Sequence, residues 1–264
     1  MMMLPVDALP SLYNLKTMKK FENKIAVITG GNSGMGYGTA KVLKEMGATV
    51  IITGRRQEAI DKAAQELGVH AILSDQGNLD DIDTLVTEVA EKFGKVDILY
   101  INAGISKTSS IELESPENFD SVMNINFRGV YFTLSKFIPH LNDGASVVVL
   151  SSVLASTVSP GLSVYSASKA AVNSFVKTAA LELAARKIRV NAISPGAIDT
   201  ELFTKMGLDS DTLSGMTDYL IGLTPIGRIG KPEEIGHLVA FLSSDEASFI
   251  TGSDHIIDGG STLL

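Results

Sequence analysis

Residues 25–36 read Ile25-Ala26-Val27-Ile28-Thr29-Gly30-Gly31-Asn32-Ser33-Gly34-Met35-Gly36. An apolar run of strand length enters a glycine-rich turn, and a helical pattern, Met35–Met46, follows it. Such a turn lets the chain reverse sharply and lets backbone N–H groups approach a pyrophosphate. The helix aims its positive N-terminus at the same point. The spacing is Gly-x-x-x-Gly-x-Gly rather than the commoner Gly-x-Gly-x-x-Gly. Taken alone it also fits a β–α turn with no ligand. Its place after the first strand of a long α/β chain favours the dinucleotide reading.

Outward from this turn, apolar runs alternate with longer helical patterns. The strands read Ile25–Thr29, Thr49–Thr53, His70–Leu73, Val96–Ile101, Val147–Ser151, Arg189–Ser194 and His255–Ile257. Most are continuous apolar runs, which signals burial on both faces and a parallel sheet. The helices read Met35–Met46, Gln57–Leu67, Leu79–Phe93, Pro116–Leu141, Val164–Lys187 and Pro232–Leu242. The expected fold is a doubly wound, seven-stranded parallel α/β sheet with helices on both faces. No linker or repeat divides 23–264, so one domain is expected there, and residues 1–22 read as a flexible extension. Met18 reads as an alternative start. Glu201–Arg228, rich in Gly and Pro, reads as an irregular, mobile flap.

Composition narrows the function classes. The 264-residue chain carries a net charge of −8 and no basic stripe, which argues against nucleic acid. It has no cysteine, which removes disulfides, thiolate catalysis and Cys-based zinc sites and fits a reducing cytoplasm. His70, His140, His237 and His255 are scattered without metal-ligand spacing, so no metal is expected. No apolar run reaches membrane-span length.

A second constellation carries proton chemistry. Ser152 follows the fifth strand, Tyr165 comes thirteen residues later, and Lys169 four after that, one helical turn along the same face. A nearby ammonium and an oxidised nicotinamide would favour the phenolate and lower the Tyr165 pKa, making a better acid or base. Ser152 can hydrogen-bond the substrate oxygen. Tyr37 and Lys41 share the spacing, but only Tyr165 has the serine at a preceding strand end.

At the second strand's end stand Gly54, Arg55 and Arg56, with no acid between Glu45 and Glu58. That suits a 2′-phosphate, hence NADP(H), with Arg55 the better contact and NAD(H) still possible. Two solvated surface arginines are the plain alternative. Asp75 and Gln76 are read as cofactor contacts: Asp75 stands where it could accept from the adenine amino group, or else caps a turn, and Gln76 follows it. Asn102-Ala103-Gly104 leaves room for the adenosine half.

These motifs together resemble the short-chain dehydrogenase/reductase family over Asn23–Leu264. The matching residues are Thr29–Gly36, Asn102-Ala103-Gly104, Asn126, Ser152, Tyr165 to Lys169 and Pro195-Gly196. The resemblance implies a Rossmann-like fold and a cofactor held by Gly30, Asn32, Ser33, Gly34, Met35 and Gly36. It implies Tyr165 as acid/base, Ser152 on the carbonyl, Lys169 on the nicotinamide ribose, and Asn126 kinking its helix to hold a water. It also implies contacts from Pro195, Gly196, Ile198 and Thr200 to the nicotinamide, and a homotetramer built on Pro116–Leu141 and Val164–Lys187. Two residues depart from the family pattern: Ile101 stands for the usual Asn, and Met35 for the usual Ile.

The expected reaction interconverts a ketone or aldehyde and an alcohol. Ser106, Val153, Leu154, Leu162, Ala197, Leu202, Phe203 and Met206 are the candidate pocket positions, mostly apolar. They favour an apolar or aryl ketone. A 3-oxoacyl-carrier-protein reductase is the near alternative, although Phe137–Gly144 offers no Lys or Arg to an acidic carrier. A cofactor-binding regulator without turnover is the alternative of another class.

Overall fold

A computed structural model describes residues 20–200 and 210–264. Its centre is a seven-stranded, all-parallel sheet in the order β3-β2-β1-β4-β5-β6-β7. The strands are β1 Ile25–Ile28, β2 Thr49–Gly54, β3 His70–Leu73, β4 Val96–Ile101, β5 Leu141–Leu150, β6 Arg189–Pro195 and β7 Asp254–Ile257. Alternation along each strand feeds two apolar layers. Val27, Ile51, Leu99, Val147 and Val190 face helices α3 (Leu79–Phe93), α5 (Gly129–Phe137) and α6 (Ser163–Leu183). Ile28, Ile52, Ile98, Val148 and Ile193 face α1 (Gly34–Glu45), α2 (Gln57–Leu67) and α8 (Pro232–Ser243). Burial on both faces is the reason these strands read as unbroken apolar runs.

The winding reverses between β3 and β4, so β1 and β4 are neighbours and their carboxyl ends open a crevice. The glycine turn lies at one lip and Asn102–Gly104 at the other.

Four expectations change. The helix expected over Pro116–Leu141 is α4 (Pro116–Met123), a single wide π turn at Asn124–Arg128, and then α5. Strand β5 begins at Leu141 rather than Val147, because Leu141 pairs with Val96 before a register shift brings Ser146 opposite Ile98. Within the expected flap, α7 spans Ser210–Gly222, so this part is helical; 201–209 lie outside the described residues. The extension expected over 1–22 reaches a residue that belongs to the fold. Phe21 is buried in the second apolar layer and its amide donates to Met46 O at 2.9 Å. The rest of that segment, 1–19, lies outside the described residues. No helix among the described residues is long and apolar enough to cross a membrane.

Helix α1 is held against α8 by near contact of backbones. A Cβ on Gly38 would stand 2.6 Å from both the carbonyl carbon and Cβ of Pro232. Gly236 answers from α8, with the Gly38 carbonyl oxygen 3.0 Å from its own imagined Cβ. Overpacking of this kind costs about 1–3 kcal/mol. Gly38→Ala is therefore expected to lower the melting temperature by several degrees. A thermal melt indistinguishable from wild type would contradict the close approach.

Candidate active site

The crevice is a cleft of about 670 Å³ running from the β2 end to Lys169. Its phosphate end is built from backbone. Gly36 sits under the turn, where a Cβ would lie 2.3 Å from the Gly30 carbonyl oxygen. Gly30, at φ +65°, takes the left-handed conformation that glycine allows without cost. Ser33 caps α1 in extended geometry but makes no side-chain capping bond, and the first turn of α1 holds no acid. The positive helix end is thus left for an anion. Gly30, Asn32, Ser33, Gly34 and Met35 line the cleft; Gly36 shapes it from beneath.

A buried polar knot closes the floor. Thr29 Oγ1 donates to Gln76 Oε1 at 2.7 Å and accepts from the amides of Asn102 and Ala103 at 2.9 and 3.0 Å. Asn102 Nδ2 donates to the carbonyls of Thr29 and Gly30, at 3.0 and 3.1 Å. Asn102 Oδ1 is buried with no partner. At the adenosine end, Arg55 and Arg56 line the cleft, exposed, and no partner for either is present among the described residues. Asp75 also lines it, and its Oδ1 accepts from Gly77 N at 2.8 Å, so the turn-capping reading is realised.

At the inner end, α6 delivers Tyr165 and Lys169 to one wall. Lys169 Nζ lies 5.8 Å from the Tyr165 ring centre and donates to Leu150 O at 2.8 Å. Ser152, 7% exposed, follows β5 beside them, and its Oγ accepts from Leu154 N at 3.2 Å. Asn126 stands in the wide turn. Its Oδ1 accepts from Ile105 N and its Nδ2 donates to Ile105 O, both at 2.8 Å. The second Nδ2 hydrogen goes to Ser168 Oγ at 3.2 Å, which donates to Tyr165 O. Gly104 separates Asn126 Oδ1 from Lys169 Nζ; a Cβ there would lie 3.3 and 3.6 Å from them.

Other expected residues fall less neatly. Of Pro195, Gly196, Ile198 and Thr200, only Thr200 lines the cleft. Gly196 donates to Ile257 O and Ile198 is buried in a bridge to Gly230, so both serve the strand end. Leu154 and Leu162 are half-buried beside the serine and the start of α6 but do not line the cleft. Leu202, Phe203 and Met206 lie outside the described residues. Ile101 packs into the first apolar layer, which explains an apolar residue there. Ser74, Ile105, Ile125 and Leu150 line the cleft and escaped the sequence reading, because the first two and Leu150 belong to loops or strand ends and Ile125 to the wide turn, none with a motif of its own.

A family model described as Enoyl-(Acyl carrier protein) reductase matches residues 30–262. The chain belongs to the short-chain dehydrogenase/reductase family. It is 36% identical over 248 residues to a 3-oxoacyl-[acyl-carrier-protein] reductase of Thermotoga maritima, covering 91% of this chain and 98% of that one. It is 34% identical over 250 residues to a 3alpha-hydroxysteroid dehydrogenase of Mediterraneibacter gnavus, covering 90% and 96%. A crystal structure of a short-chain dehydrogenase/reductase, titled glucose/ribitol dehydrogenase, from Brucella melitensis superimposes with a TM-score of 0.83. That pair is 32% identical, over 92% of this chain and 98% of the other. Membership makes the chain an NAD(P)-dependent oxidoreductase. The cleft fits such a cofactor: a glycine cradle at an uncompensated helix end for the diphosphate, and an unpartnered buried oxygen, Asn102 Oδ1, on the floor.

Burial dominates the electrostatics of this family site. It pushes the Tyr165 phenol above its ordinary value, with the Ser152 hydroxyl opposing; the lowering expected from an ammonium and an oxidised nicotinamide together applies to the cofactor-bound site. Lys169 is itself driven down, from 10.5 to about 8, by complete desolvation. Between those two values the unfolded chain holds the lysine proton and the folded chain does not. Stability from this group therefore rises with pH across that window and is flat below it. Relative to Lys169→Met, wild type is expected to gain about 3 kcal/mol between pH 7 and 10.5. Parallel denaturation curves of the two proteins across that range would refute the buried ammonium.

Proposed function

We propose that this protein is an NADP(H)-preferring carbonyl reductase, reversibly an alcohol dehydrogenase, with Tyr165 as general acid/base. The observation that carries the reading is the placement of Tyr165 and Lys169 on one turn of α6, with Ser152 at the end of the neighbouring strand, at the far end of a cleft whose near end is a phosphate cradle. The nicotinamide, when bound, supplies or accepts the hydride. Every proton step belongs to the chain.

Ser152 orients the substrate oxygen. Tyr165, held protonated by burial, donates its proton to that oxygen during reduction and takes one back during oxidation. Lys169, driven down to about 8 by desolvation, would hold the ribose side of the cofactor and sets a positive charge beside the Tyr165 phenol when protonated. Asn126 fixes Ile105 and, through Ser168, the start of the Tyr165 turn. Arg55, assisted by Arg56, is assigned to the 2′-phosphate because both line the adenosine end of the cleft, exposed and with no partner among the described residues. Pro195, Gly196 and Ile198 support the nicotinamide end from the strand, and Thr200 from the cleft wall. Leu154, Leu162 and Phe203 are assigned to the substrate side.

A second reading, a 3-oxoacyl-carrier-protein reductase, is favoured by the Thermotoga relative. The stretch Phe137–Gly144 does not bear on it: it leads into the amino end of β5, whereas the cleft takes only the carboxyl end of that strand, at Leu150. We also assign a homotetramer, supported by exposed Phe119 and Tyr131 on α4–α5 and exposed Leu181 on α6. The acidic, cysteine-free chain suits the cytoplasm.

Loss of reduced-nicotinamide absorbance, followed with NADPH and with NADH on 2-octanone, acetophenone and cyclohexanone, tests the reaction. Faster turnover with NADPH is expected on at least one ketone. Tyr165→Phe should lose about 10²–10⁴-fold in kcat. Turnover confined to an acyl-carrier thioester would select the second reading, and a fully active Tyr165→Phe would remove both. Light scattering should return the mass of four chains; a monomer at micromolar concentration would exclude the assembly.

A further inference from the structure

Gln76 follows Asp75 at the end of β3 and lines the adenosine half of the cleft. From sequence it reads as a cofactor contact, but its side chain is 6% exposed and turned into the protein. Oε1 accepts from Thr29 Oγ1 at 2.7 Å. Nε2 donates to two carbonyls, Ala103 O at 2.8 Å and Ile125 O at 3.1 Å. Both amide hydrogens are therefore spent on the protein.

Ile125 lies inside the wide turn, and the next residue is Asn126. Two further contacts fasten this turn to the same loop. Asn124 Nδ2 donates to Gly77 O at 2.8 Å. Gly129, at the start of α5, lies so close that a Cβ would fall 2.2 Å from the Gln76 carbonyl oxygen. A helix interrupted by one π turn needs outside partners for the carbonyls that the wider pitch displaces. The Gln76 amide supplies one, at the carbonyl immediately before Asn126.

We infer that Gln76 is a positioning residue: its amide ties the adenosine floor to the helix break, and thereby sets Asn126 against Ile105 and Ser168. Asn126 has no freedom left to compensate, since Oδ1 and both Nδ2 hydrogens are already engaged. Release of Ile125 O moves the Asn126 backbone and loosens the Gly104–Ile105 edge that faces Lys169. This inference rests on the assignment of Tyr165 and Asn126 to the proton machinery.

The test is a double-mutant cycle with two readouts. Gln76→Met keeps the length and removes the amide. Gln76→Glu keeps an acceptor for Thr29 and removes both donor contacts, so it carries the same test should the methionine variant not fold. With NADPH and the fastest ketone of the three above at saturation, either variant is expected to lose about tenfold in kcat. In an Asn126→Ala background the same change should cost less than twofold, because the route through Asn126 is already cut. Hydrogen–deuterium exchange across Gly104–Ser110 in the cofactor-free protein should quicken about tenfold in either single variant. A purely structural role lowers the melting temperature and leaves the kcat effect additive with Asn126→Ala. Unchanged exchange at Gly104–Ser110, or an undiminished kcat loss in the Asn126→Ala background, overturns the inference. A fully active Tyr165→Phe removes the reading beneath it, whereas an inactive Tyr165→Phe with an unimpaired Gln76→Met removes this inference alone.

Discussion

The Thr29 hydroxyl sits where the sheet changes its winding direction, and much of the site depends on its three hydrogen bonds. It accepts from two consecutive amides at the end of β4 and donates to Gln76 beyond β3. Without them β1 and β4 would end as parallel neighbours with open amides facing a crevice. With them, the floor of the cleft is closed and its lip, Asn102 to Gly104, is held within reach of the glycine turn. Buried groups of this kind are costly unless fully paired, so the knot is all-or-nothing. One atom of the knot is left over: Asn102 Oδ1, buried without a partner.

The same economy governs charge. The chain is acidic overall, yet the cleft concentrates positive potential at both ends. At one end are two exposed arginines, without partners among the described residues, and a helix terminus free of acids. At the other is a lysine stripped of water. The acids near α1 and α8 are consumed elsewhere: Glu233 pairs with Lys41, and Glu234 with Arg228, each on the far side of α1 or at the entry to α8. Net charge therefore says little about what the cleft attracts, and local pairing decides it.

How much of this could be read from residues alone follows from which forces are local. The strands were legible because burial on both faces writes an apolar run into each. The glycine turn and the Tyr165–Lys169 pair were legible because a fixed helical or turn geometry imposes fixed spacings. The rival pair was rejected on context, and the structure gives the reason: Tyr37 hydroxyl meets Glu66 at 3.2 Å and Lys41 meets Glu233 at 3.2 Å, on the surface. The break at Asn124–Arg128 was not legible from periodicity, since the apolar pattern continues through it. It is imposed by distant partners, Gly77, Gln76 and Ile105. The early start of β5 was hidden for a similar reason: Asn142, Asp143 and Gly144 are polar and turn-forming, and they fall in the register shift between Leu141, which pairs with Val96, and Ser146, which pairs with Ile98. The loop-borne wall residues carry no periodic signal at all.

Burial of Lys169 and Tyr165 shows what the fold gives up for this arrangement. An ammonium without water, near a phenol pushed toward its neutral form, is a worse core than two apolar side chains of the same size. Its single carbonyl partner, Leu150 O, does not restore the lost hydration. The surrounding apolar layers of the parallel sheet can carry that cost because they are continuous on both faces and rigid. Rigidity in turn keeps the lysine from escaping to solvent, which is the route by which a less constrained site would relieve itself. A lysine driven down to about 8 is thus a consequence of burying an ordinary side chain from α6 against the carboxyl end of β5, and the fold, rather than any special residue, produces it.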